Sequence, residues 1–271
     1  MSALRARCPF CRTLTAVALG SEYECHSCGR TYGAGLVRVP RAWGTGGEEM
    51  ERAGRELELP YPKAAVVEEP TLAMQSLTLA SELPVRPLVL GGCCCAHVGA
   101  VEGLAARHDK LAVVWLDAHG DLNTPESSPS GNQWGMPLRM LIDSGAVEAH
   151  RVALVGARNL DPPEEEFIAA SGLHAGDGAI AAATADVDCV YVALDVDVLD
   201  PADAAPWLPE PGGPSADEVD ALLRELAAER TIVGAGFSGA TAAPPNAELL
   251  ARFARALGLE VDATGTPGRP V

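Results

Sequence analysis

Basic residues are scarce in this chain: 20 Lys and Arg stand against 37 Asp and Glu in 271 residues, a formal net charge of -17. A surface this acidic repels phosphate backbones and anionic lipid, which argues against nucleic acid and membrane as partners. No apolar run reaches the roughly 20 residues that span a bilayer. The opening MSALRARCPFC also lacks the apolar segment of a secretory signal. A cytoplasmic location is the expectation, and there the eight cysteines read as metal ligands or reduced thiols rather than as a disulfide framework. The length and a hydrophobic content of 48% are enough to bury one large α/β core.

Four of those cysteines, Cys8, Cys11, Cys25 and Cys28, form two C-x2-C knuckles across a thirteen-residue spacer. That spacing wraps two thiolate pairs around one tetrahedral zinc, the arrangement of a zinc ribbon over residues 1–34. Only Arg5, Arg7, Arg12 and Arg30 supply positive charge nearby. A structural or protein-contact role is therefore expected, with folding of the module dependent on its metal. No Ser/Gly linker follows, so the ribbon is expected to pack on the domain formed by residues 35–271.

From Gly35 the pattern is α/β, with LVRVP, AAVVEE, RPLVLGG, VALVG and TIVGAG as strands, and a helix over Glu48–Leu57. Thr71 is placed to cap the helix TLAMQSLTLASEL, and Ser215 with Glu218 forms a capping box ahead of another helix. Two further apolar strands end in carboxylates. Leu111–Leu116 delivers Asp117, His119 and Asp121, which in an extended segment project to one side. Val190–Leu194 delivers Asp195, Asp197 and Asp200. An Asp at a strand end is often a turn or cap residue. Two such clusters, one with a central His, instead call for a divalent cation to offset their repulsion. Oxygen-rich ligation suits manganese, with zinc or iron as competitors. Two ions sharing carboxylates sit roughly 3.5–4 Å apart and hold a hydroxide between them.

DAHGD, LNT, SPSGN and LDVDVLDP, in that order, resemble the ureohydrolases, the family of arginase and agmatinase, and the likeness runs from about Leu36 to near Leu257. It implies a three-layer αβα fold around a mainly parallel sheet, and a homo-oligomer such as a trimer or hexamer. It also implies a binuclear manganese site on Asp117, His119, Asp121, Asp195 and Asp197, with Asp117 and Asp195 bridging and Asp117, Asp121 and Asp195 at the centre of catalysis. Asn123, Ser130, Asn132 and Asp161 stand where the family holds the amino-acid end of a small-molecule substrate. The turn Pro209–Gly213 matches the family's Pro-Glu-Pro-Gly-Gly.

The chain departs from this pattern at three places. Cys93 and Cys94 replace the Asp and His of a Gly-Gly-Asp-His-Ser turn, so Cys94 becomes the candidate metal ligand and softer ions such as zinc or iron gain ground. His97, in the first turn of the next helix, is a substitute ligand or an ordinary helix residue. Trp134 replaces a proton-moving His, and Gly239 stands near the family's guanidinium-binding Glu, with no acid between Thr231 and Asn246. The expected activity is hydrolysis of a non-peptide C–N bond of a linear amidine, guanidino, ureido or amide group on an amino-acid-like molecule, with plain arginine disfavoured. The alternative is a catalytically silent relative that serves as a scaffold or regulatory partner through its ribbon.

Overall fold

The computed structural model describes residues 5–6, 8, 10–19, 22–32, 35–61 and 63–259. Residues 1–4, 7, 9, 20–21, 33–34 at the expected domain boundary, 62 and the tail from 260 to 271 lie outside them. The first four strands, β1 (Arg5–Ala6), β2 (Ala16–Leu19), β3 (Glu22–Cys25) and β4 (Thr31–Tyr32), form a small antiparallel sheet in that order. Its core is Cys8, Ala16, Tyr23, Cys25 and Tyr32, with Tyr23 stacked on Tyr32 at 5.2 Å.

The rest of the chain alternates strand and helix: β5 (Gly35–Val39), α1 (Glu48–Glu56), β6 (Lys63–Val66), α2 (Leu72–Glu82), β7 (Pro87–Gly91), α3 (Ala96–Ala105) and β8 (Leu111–Leu116). Then come α4 (Pro137–Asp143), β9 (Val152–Val155), α5 (Pro162–Ser171), β10 (His174–Ala175), α6 (Ala179–Ala183), β11 (Cys189–Asp195), α7 (Ala216–Glu229), β12 (Thr231–Ser238) and α8 (Pro244–Ala256). The large sheet runs β10-β9-β8-β11-β12-β7-β5-β6, and its strand pairings are parallel throughout the described residues.

Continuous apolar runs form these strands because both faces of the sheet are covered. On β8, Ala112, Val114 and Leu116 face one core with α1, α6, α7 and α8, whereas Val113 and Trp115 face the other with α2, α3, α4 and α5. That is the expected three-layer αβα arrangement. Each large side chain withdrawn fully from water contributes about 1.5–3 kcal/mol. Caps set the helix starts where the sequence placed them. Thr71 accepts from the Met74 N–H at 3.2 Å, and the Glu218 carboxylate accepts the Ser215 N–H at 2.8 Å. Close approach of α2 and α3 depends on Gly99, where a Cβ would meet the Ser76 carbonyl at 2.5 Å.

The ribbon-like sheet sits at the β6 end of the large sheet, with β1 against β6 and Ala64 packed on the small core. It thereby shields an edge strand that would otherwise present unpaired backbone groups. The four central strands β8-β11-β12-β7 bring four carboxyl-end loops side by side: the segment after Leu116, the end of β11 at Asp195, Gly239 after β12, and Cys93–Cys95 after β7. Parallel sheets place their ligands outside that edge.

Candidate metal centre

Register alone puts the two carboxylate clusters together. Leu116 pairs with Leu194, and Asp195 with Ser238. The expected extended projection of Asp117, His119 and Asp121 gives way to a bend, in which Asp121 takes a left-handed φ of 54°. Strand alternation therefore does not aim these side chains. A turned backbone does, at a conformation that Asp tolerates better than most residues.

Two groups of ligand atoms result, each within 4.8 Å: Cys94, Asp117 and Asp121, and Asp117, His119 and Asp197. Asp117 belongs to both. The backbone cross-links the cluster: His119 N–H donates to Asp117 Oδ1 at 2.8 Å, Ala118 N–H to Asp197 Oδ1 at 3.1 Å, and Asp197 N–H to Asp195 Oδ1 at 3.0 Å. Asp195 lies in neither group. Its Oδ2 accepts from the Cys94 thiol at 3.0 Å and the Ser238 hydroxyl at 3.2 Å. Asp121 Oδ2 is buried and has no hydrogen-bond partner among the described residues. An orphaned carboxylate oxygen in a protein interior is costly, and a cation is the partner its chemistry calls for. The donor set of carboxylates, one imidazole and one thiol thus fits a transition-type cation.

Electrostatics point the same way. Burial first, then Asp197, pushes Asp195 up to about 7; burial first, then Asp117, pushes Asp197 up to about 6. Burial also raises Asp117 and lifts Asp121 well above the usual range. Burial favours a neutral His119 ring, yet hydrogen bonds to Asp117 and Asp197 push it up to about 12. Its Nδ1 lies 3.0 Å from Asp197 Oδ2, facing the same carboxylates that would share a cation. All these shifts leave the folded state holding more protons than the unfolded one. The carboxyls titrate above their unfolded value of about 3.9 and His119 above about 6.5. Across pH 5.5 to 8, stability in chelator should therefore fall as the pH rises, because the folded carboxyls and His119 hold protons that the unfolded chain gives up. Urea midpoints in EDTA across that range check the sign, and a midpoint that rises with pH contradicts it.

A second layer holds this centre. His119 Nε2 faces Glu210 Oε1 at 3.4 Å, and Asn159 donates to the same oxygen at 2.8 Å. The Arg158 guanidinium donates to the carbonyls of Gly156, Asp197, Val198, Glu210 and Pro211, tying the Glu210 turn to the end of β11. His97 is buried, with Nδ1 on the Tyr191 hydroxyl and Nε2 on the Ser238 hydroxyl, 3.0 and 3.1 Å away. Both of its nitrogens face second-layer hydroxyls, and it belongs to neither ligand group. Its relay through Ser238 reaches Cys94 and Asp195.

The cluster floors a cavity of about 310 Å³. Asn123, Ser130 and Asp161 line it. Asn123 is engaged within the protein, donating to Asp161 Oδ2 and accepting from the Ser127 hydroxyl, each at 2.8 Å. Asn132 instead turns its Oδ1 to the Thr45 N–H at 2.9 Å and is not among the lining residues. Sequence reasoning missed Glu164, Glu210, Asn159, Trp207 and Ser238. Glu164 spans the Leu122 and Asp161 N–H groups at 2.9 Å each, a contact whose signal lay in the D-x-x-E capping spacing. The other group is Cys8, Cys11, Cys25 and Cys28. Cys8–Cys28 and Cys11–Cys25 sulfurs stand 3.6 and 3.5 Å apart, near the edge of about 3.8 Å of a tetrahedron with Zn–S bonds of about 2.3 Å.

Comparison with known proteins identifies the lineage. Arginases of Bacillus caldovelox and Brevibacillus brevis are each 36% identical, over 179 and 199 residues, covering 56% and 63% of this chain. Those matches span 60% and 66% of the two relatives, so the chain covers less than two thirds of either one's length. The solved arginase from Bacillus caldovelox superposes with a TM-score of 0.73 at 26% identity, over 84% of this chain and 99% of that one. The proclavaminate amidino hydrolase from Streptomyces clavuligerus gives 0.62 at 25%, over 84% and 93%. The sequence profile of the arginase family matches residues 55–239, which include both ligand groups at the cavity floor. This chain belongs to the arginase family.

Proposed function

We propose that the protein is a metal-dependent hydrolase that cleaves a non-peptide C–N bond in a compact, amino-acid-like molecule. The observation that carries this reading is the shared Asp117: two ligand groups overlap on one carboxylate, beside an Asp121 oxygen with no partner among the described residues, at the floor of a cavity. Asp117, His119, Asp121, Asp197 and Cys94 would hold the cations, with Asp195 alongside. Manganese suits the oxygen donors, and Cys94 favours zinc or iron at its end. When bound, such ions polarise a planar carbon and make water a nucleophile at neutral pH.

The chain's own residues do the rest. In the overall reaction water's oxygen joins the carbon, the bond to the tail nitrogen breaks, and that nitrogen leaves with a proton as an amine. Asp161 and Ser130 face the cavity where a polar tail would lie, and Asn123 fixes the Asp161 carboxylate. Beyond Asp195 of the cluster itself, no acid among the described residues lines the Gly239 side, so a guanidinium would lack a carboxylate of its own to pair with there. A ureido, amide or weakly basic amidine head is the better fit. Metal analysis of the purified chain, with a hydrolysis screen of guanidino, ureido and amide amino acids, tests both parts. Cation beyond one ribbon zinc, with turnover of a neutral head, supports the reading. Rapid urea release from arginine overturns the substrate, and ribbon zinc alone with no turnover favours a silent family member.

Glu210 should set metal affinity without touching the ion. A carboxylate on the outer nitrogen of a ligating imidazole fixes its tautomer and orientation, and losing such a partner costs about 10–100-fold in affinity. Glu210→Gln is expected to weaken metal binding by that factor while leaving the melting temperature in chelator near that of the parent. Competition with a fluorescent chelator measures the first and calorimetry the second.

For the ribbon, Cys25→Ser should remove one zinc per chain. Amide exchange should then accelerate in β2 and β3 and in the shielded strand β6, leaving β8 and β11 protected. Exchange mass spectrometry reads the pattern, and uniform loss of protection would show the two sheets to be one cooperative unit. The chain is proposed to work on small molecules, as a homo-oligomer. Among the described residues, no helix is long and apolar enough to cross a membrane.

A further inference from the structure

The cavity has two unlike walls. Near His119 stand Asp161, Glu164 and Asn159; beside Asp195, Trp134 and Trp207 stand with Met50, Cys93, Leu208 and Gly239. Asp195 itself aside, the second wall carries no acidic or basic side chain among the described residues. It is also rigid. Gly239 accepts the Trp207 N–H at 2.7 Å, and Pro206 and Ala240 form a bridge, so the Trp207 loop is locked to the end of β12. Trp134 meets Trp207 edge to face, with centroids 5.3 Å apart and planes at 70°. The Trp134 indole is seated over Gly44, where a Cβ would come within 2.3 Å of its ring. Met50 and Cys93 close the wall from behind, both buried.

From this geometry we propose that the aromatic wall is a subsite for a flat, uncharged, apolar group, aryl or branched alkyl, which the substrate carries beyond the reactive carbon on the side away from its polar tail. The proposal rests on reading the carboxylate cluster as the reactive centre, and it names what occupies the side where an acid is missing. Two rings held at a steep angle by packing offer a preorganised slot in which an aromatic or branched group buries apolar area at little entropic cost. A bare guanidinium there would leave its N–H donors facing carbon. A substrate with one polar and one apolar end, joined through a C–N unit, matches both walls at once.

Titration of the manganese-loaded full chain with methylurea, phenylurea and phenylguanidinium, followed by tryptophan fluorescence and calorimetry, tests this. Phenylurea should bind at least about tenfold more tightly than methylurea, the factor expected from burying one ring. Trp207→Ala and Trp134→Ala should each erase the difference, and Trp207→Phe should keep it. Equal affinities, tighter binding of phenylguanidinium, or a preference that survives both alanine changes overturns the proposal. Metal content measured on the same samples keeps the two readings apart. A phenylurea preference without bound manganese upholds the subsite and removes the reactive centre, whereas loaded metal without the preference does the reverse.

Discussion

Asp117→Asn should abolish hydrolysis and empty both metal positions while leaving the protein folded. Asp117 is the one residue common to the two ligand groups. Its oxygens already accept from the His119 N–H, the Trp115 indole at 3.2 Å and the Cys94 thiol at 3.6 Å. Asparagine fills the same volume but brings one less charge, and its amide group turns N–H donors toward the place of the cation. Losing a shared ligand removes several kcal/mol of charge stabilisation from the reacting state. The rate should therefore fall on the order of 10³-fold or more. Stability in chelator should move the other way. Burial raises the Asp117 carboxyl, and Asp195 adds repulsion, so a neutral residue relieves a cost that the metal-free fold carries. Lost metal and activity with an unchanged or higher melting temperature in EDTA would mark a ligand. Loss of all three together would mark a residue that the fold needs, and retained turnover would remove Asp117 from the centre.

Much of this was legible in the sequence because it is written in short-range chemistry. The run Leu111–Leu116 is a strand because each face of the sheet meets a helix layer, and the Ser215–Glu218 box starts α7 because its bonds are local. The two carboxylate clusters were visible as clusters, and parallel pairing of β8 with β11 then brings them together. What escaped was relational. The aim of Asp121 depends on a left-handed backbone angle that no alternation rule supplies. The relay from Tyr191 through His97 and Ser238 to Cys94 joins β11, α3, the end of β12 and the turn after β7, and no spacing in the chain announces it. Trp134 was readable as a departure, but its meeting with Trp207 was not. That they form one wall is a fact of tertiary packing.

Restoring an acid at Gly239 should not restore arginine cleavage, and even alanine there should disable the centre. Gly239 has a φ of 68°, and a Cβ on it would fall 1.9 Å from Asp195 Oδ1. A left-handed conformation costs an ordinary residue about 1–2 kcal/mol. The contact costs more, because what must give is a carboxylate already fixed by the Asp197 N–H, Cys94 and Ser238. Moving Asp195 drags Asp197, and with it the partner of His119. Gly46 supplies the control: its φ is 86°, and nothing lies within 4 Å of the Cβ position. Gly46→Ala should lose only the conformational term, whereas Gly239→Ala should lose that and metal affinity besides. Gly239→Glu should bind metal no better than the alanine variant and release no urea from arginine. Denaturation midpoints, metal titration and a urea assay on the three variants decide it. Appearance of arginase activity in the Glu variant would mean that Asp195 yields easily and that only a missing side chain separates this cavity from a guanidinium site.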